Sequence, residues 1–77
     1  MTLDYLHDFI KLYYVKCGQY KTKKEAYEAC EDAYAIQYKV EISRGLMKET
    51  RFSDFDSFRV QLHKYLKDPK NRARIDI

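Results

Sequence analysis

The sequence predicts an all-α fold, a compact three-helix domain, and three observations predict it. Apolar residues recur every three or four positions in three separate stretches. Gly18, Gly45 and the pair Asp68-Pro69 stand where those stretches end, as helix stop signals do. The chain has 77 residues with 45% apolar and 16% aromatic content, enough for one small core and no second domain. Two glycines and one proline exclude a collagen-like or linker chain, and the apolar content excludes a disordered one.

The first helix is expected over 3–17. Leu3, Leu6, Phe9, Ile10, Tyr13, Tyr14 and Cys17 fall on one stripe, with Asp4, Asp8 and Lys11 opposite. Thr2 is positioned as its N-cap, and Gly18 as a left-handed stop. The second helix is expected over 23–44. Thr22 and Glu25 have the spacing of a capping box, and Gly45 follows the last turn. The third is expected over 54–67, starting at Ser53 or Asp54, with Phe55, Phe58, Leu62, Tyr65 and Leu66 as its stripe. Pro69 ends it, because the residue before a proline resists helical dihedrals.

In this arrangement the first two helices form an antiparallel hairpin, and the third packs across them. Residues 1–69 make the domain, and 70–77 form a mobile basic tail. Residues 36–52 also support a different reading. Ile36 to Ile42 alternates apolar and polar, so a β-hairpin there would turn the class into α+β. The helix is preferred because good helix formers run into it with no stop signal before Gly45.

On a helical wheel the second helix carries two apolar strips. Ala26, Ala29, Ala33, Ile36, Val40 and Met47, with Cys30 at the edge, make a strip of mostly small residues that lets another helix come close. Tyr27, Tyr34 and Tyr38 make a ridge. Such a ridge is either core or interface. Eight tyrosines in one small chain favour surface-facing examples among Tyr5, Tyr20, Tyr27, Tyr34 and Tyr38, because a core chosen for packing alone draws on Leu, Ile and Phe. Tyrosine gives large contact area at low rotamer cost and keeps a polar tip. The expectation is therefore a protein-binding face of Tyr27, Tyr34 and Tyr38 with the neighbouring acids Glu31 and Glu41. The protein would be a non-enzymatic adaptor, regulator or inhibitor of a larger protein, of the kind that phages and mobile elements encode. Homodimerisation through the same ridge is compatible with this reading.

Charge suggests the alternative. The net charge is +3, with bases gathered before and within the second helix and again towards the C-terminus. Lys23 and Lys24 occupy the first helical turn, where the backbone dipole already repels cations. With Lys21, and with Arg72 and Arg74 of the tail, they form a candidate site for nucleic acid or another anion. The third helix adds Arg59, His63, Lys64 and Lys67, while Glu25, Glu28, Glu31 and Asp32 on the second would repel phosphates.

No catalytic, nucleotide-binding or metal motif is present, so neither enzyme activity, cofactor nor metal is expected. His7 and His63 form no ligand pair. Cys17 and Cys30 lie roughly 10 Å apart along the expected hairpin, too far for an easy disulfide. They are read as reduced core residues of a cytoplasmic protein. The longest unbroken apolar run is Leu12 to Val15, so no membrane span or targeting segment is expected. Met1 and the lack of a linker are read as a complete chain.

Overall fold

A computed structural model describes residues Met1–Ile75; Asp76 and Ile77 lie outside the described residues. The fold is helical with no strand among them. The elements are α1 (Leu6–Cys17), α2 (Lys23–Gln37), α3 (Lys39–Ser43), α4 (Phe55–Leu66) and α5 (Pro69–Ile75). The all-α class holds, and the hairpin over 36–52 does not form. The expected three helices become five.

α1 starts three residues later than its stripe suggests. The chain before it is used as a strap instead. The Gln37 side chain accepts from the Leu3 N–H at 2.9 Å and donates to the Met1 carbonyl at 2.5 Å. Asp8 accepts from the Thr2 N–H at 2.8 Å, so Thr2 is not a cap, and Tyr5 stands at the N-cap position without a side-chain bond. Leu3 is still buried, which is why it matches the helical stripe without being helical. Gly18 ends α1 at φ −78°, without the left-handed turn expected of it.

α2 begins as the spacing requires. The Thr22 hydroxyl accepts from the Glu25 N–H at 3.1 Å and donates to the Glu25 carboxylate at 3.0 Å. The expected long helix breaks at Tyr38, whose φ of −110° and ψ of 26° leave the helical region. The Tyr38 ring packs against Tyr34 at 5.0 Å, and its hydroxyl accepts from the Asp4 N–H at 3.3 Å. Past the break, β-branched Val40 and Ile42 support only the short α3. Gly45 then adopts φ +74° as expected. Its N–H donates to Ile42 and that of Leu46 to Glu41, satisfying carbonyls that the helix end leaves open.

The core is aromatic and centred on Phe58, which is 0% exposed. Its ring meets Tyr13 at 4.8 Å, Tyr27 and Phe52 at 5.2 Å and Phe9 at 5.5 Å. One α4 side chain thus joins α1, α2 and the connection before α4. Asp54 caps α4 by accepting from the Ser57 N–H at 2.8 Å, a bond that holds its carboxyl below the ordinary range.

The connection 44–54 has no regular structure, and a single carboxylate organises it. Glu31, 7% exposed, accepts from the Arg51 N–H at 2.7 Å, the Phe52 N–H at 3.0 Å and the Tyr27 hydroxyl at 2.5 Å. Each of these donors would cost about 1–3 kcal/mol if buried without a partner.

Past Asp68, where a mobile basic tail is expected over 70–77, the chain forms α5 as far as Ile75, and residues 76 and 77 of that tail lie outside the described residues. Pro69 opens α5 instead of ending the fold, since the first helical position tolerates a missing N–H. Ile75 is buried in the core at 5% exposure, and the Asn71 amide donates to the Tyr65 carbonyl at 3.0 Å.

Candidate functional site

The tyrosine ridge of α2 is not a surface. Tyr27 and Tyr34 are buried, Glu31 is buried with them, and Tyr38 is half-buried. Tyr27 stacks on Phe58 and lies 5.5 Å from Phe55. Tyr34 pairs with Tyr38 under the N-terminal strap. Glu31 holds the connection and cannot rim an interface. Glu41 is half-buried on α3, where its backbone carbonyl closes the Gly45 turn. The physical reason is size: α1, α4 and the strap together cover more of α2 than one neighbouring helix would.

Apolar surface is left elsewhere on the same helix. Ile36 is 77% and Val40 58% exposed. The small-residue strip is therefore buried at Ala26 and open at its far end.

A cleft of about 550 Å³ lies between α1 and α4 at the start of α2. Its floor is apolar, formed by Tyr14 and Cys17 from α1 and by Phe55, Leu62 and Leu66 from α4. Its rim carries the cations Lys23 and Arg59 and the His63 imidazole. A second hollow of about 480 Å³ continues it through His63 and Leu66 to Lys67, Pro69 and Arg72. Among the described residues no carboxylate lines either part. Asp56 approaches Arg59 at 3.7 Å from outside the lining, an exposed pair of little energetic weight.

Of the five bases proposed for anion binding, Lys23 and Arg72 are thus brought to the two ends of one groove. Lys21, Lys24 and Arg74 are exposed but line neither part. The groove's own row, Arg59, His63 and Lys67, was legible as a four-residue spacing on the third helix. What the sequence could not show is that α5 would fold back and make the far wall.

The remaining polar groups are bound up in structure. A His7 ring nitrogen meets the Tyr65 hydroxyl at 2.5 Å, tying α1 to α4. Both cysteines are free. Burial pushes the Cys30 thiol from 9.0 up to about 12, the opposite of nucleophile activation. Burial also raises the phenols of Tyr13 and Tyr27, the first helped by its bond with Cys17 and the second by its bond to Glu31. Among the described residues, no cluster of three or more His, Cys, Asp or Glu could hold a metal, and no helix is long and apolar enough to cross a membrane.

Comparison with protein-family models, with curated protein sequences and with solved structures finds no match.

Two outcomes follow. Tyr34→Ala is expected to lose about 3 kcal/mol or more of stability in urea unfolding, as truncation of a buried aromatic does. A fully stable Tyr34→Ala protein would return the ridge to the surface. The second concerns alkaline pH. Cys30, Tyr13 and Tyr27 have folded values raised above their unfolded ones. Their contribution to stability is whole below the unfolded values and drains away as pH rises towards the folded ones. Thermal melts followed by circular dichroism should therefore fall as pH rises from 9.0 towards about 12, the window set by Cys30. The fall should be shallower for Cys30→Ala; equal slopes would contradict the assignment.

Proposed function

We propose that the protein is a small non-enzymatic protein-binding module whose recognition surface is the groove between α1, α4 and α5. The observation that carries this reading is the groove itself, a concave apolar floor inside a rim of bases with no acid in the lining. Interfaces draw their affinity from apolar anchors seated in such hollows, with polar groups around them. The module would act as an adaptor, regulator or inhibitor of a larger partner, as small proteins of phages and mobile elements do.

Nucleic acid remains the second reading, because the same rim includes Lys23 and Arg72. A hollow with an apolar floor suits it less well. Single strands are held by exposed aromatic faces on which bases stack, whereas Tyr13 is buried and Tyr14 half-buried.

Capture from a cell lysate tests the choice when run with nuclease on three proteins: wild type, Arg59→Glu/Lys67→Glu, and Lys39→Glu/Lys48→Glu. The two double variants carry the same charge change, but only the first alters the groove. The expected result is a protein partner that survives nuclease and is lost by the first variant alone. Recovery abolished by nuclease, or equal recovery by both variants, would contradict the reading.

A further inference from the structure

We propose that the groove's occupant is an acidic amphipathic helix of a partner protein, whose apolar residues seat on Leu62 and Leu66 and whose acids pair with Arg59, His63 and Lys67. This deepens the preceding reading and rests on it.

Arg59 and His63 on α4 and Lys67 at its helical C-cap stand four residues apart, so they form a row about 12 Å long at about 1.5 Å per residue. Leu62 and Leu66 repeat at the same spacing beside that row, and both face the groove. An apolar row flanked by a charged row is the pattern that one helix offers another in a side-by-side pairing. Among the described residues, the side of α4 that carries Leu62 and Leu66 is left open as the cleft between α1 and α4. The inner side of α4 is taken up by Phe58 against α1 and α2, while the outer side faces the cleft.

Charge decides the chemistry of the occupant. Arg59, His63 and Lys67 are exposed, and Lys23 and Arg72 extend the basic rim at either end. A helix with Asp or Glu at every fourth position meets a base at each turn. A basic or neutral helix leaves the rim uncompensated, which gives the groove selectivity as well as affinity. The same rim does not accommodate a second copy of this groove, since two basic rows would then face each other.

The test is selection of a displayed library of random helical peptides, about fifteen residues long to span the row, on the immobilised full chain. The expected pool carries acids at four-residue spacing beside an apolar row. Its members should bind about ten-fold more weakly to Arg59→Glu/Lys67→Glu and lose affinity as salt rises. Binding should return when the peptide's acids are exchanged for Lys against that double variant. A pool without acidic enrichment, binding that the charge reversal leaves intact, or no selected peptide at all would overturn the proposal. Oligodeoxythymidine that binds the wild-type chain and displaces the pool would overturn it in favour of nucleic acid. The lysate capture separates the two levels of failure. A protein partner lost by groove charge reversal, without acidic enrichment in the peptide pool, keeps the groove as a protein site and removes only the acidic helix.

Discussion

The buried Glu31 carboxylate is the contact on which the rest of the fold depends. A segment without helix or strand must satisfy its own backbone groups, and between α3 and α4 that segment is short of partners. Glu31 supplies them, taking the Arg51 and Phe52 N–H groups together with the Tyr27 hydroxyl. The bond to Phe52 delivers that ring to Phe9 and Phe58, at 5.3 Å and 5.2 Å. Arg51, held beside it, reaches the Asp4 carbonyl at 3.2 Å and so fastens the N-terminal strap to the same point. One acid on α2 therefore sets where α4 begins and where the strap lies. Such bonds to a charged acceptor are stronger than neutral ones, and a carboxylate with three donors meets its hydrogen-bonding needs without water.

The groove follows from this placement. With its start fixed by the connection and its centre by Phe58, α4 turns Leu62 and Leu66 towards a space that α1 only partly fills. α5 returns under the end of α4, buries Ile75 and sets Arg72 at the far side. The apolar floor is thus a consequence of a small core that runs out of helices. The basic rim is set by the sequence: Arg59 lies over the Phe55 ring at 5.6 Å and 3.7 Å from Asp56, while His63 and Lys67 are exposed. That combination is the basis of the proposed recognition role.

Much of the architecture was legible along the chain. Helical periodicity located α1, α2 and α4, and the Thr22–Glu25 and Gly45 signals placed two boundaries because they act through local hydrogen bonds. The errors share one cause, the action of distant residues. Leu3 fits a helical stripe yet lies in a strap held by Gln37. Tyr38 breaks a helix without Gly or Pro, its hydroxyl bonded to the strap and its ring set on Tyr34. The basic tail is sparse in apolar residues, and among the described ones Ile75 anchors α5. For the site the difficulty was the same. The tyrosine ridge was visible as a pattern, but its burial depended on how many neighbours α2 has. The base row on the third helix was equally visible, but its meaning waited on the wall that α5 provides.

Amide hydrogen exchange at Arg51 and Phe52 tests the central role of Glu31 most directly. Both lie in an irregular connection, where exposed amides exchange at rates near those of a free peptide. Strong protection is expected at these two positions against fast exchange at Lys48 and Glu49, with loss of that protection in Glu31→Ala. Exchange at Arg51 and Phe52 as fast as at their neighbours in the wild-type protein would show that Glu31 does not hold the connection, and the placement of α4 and its groove would lose its basis.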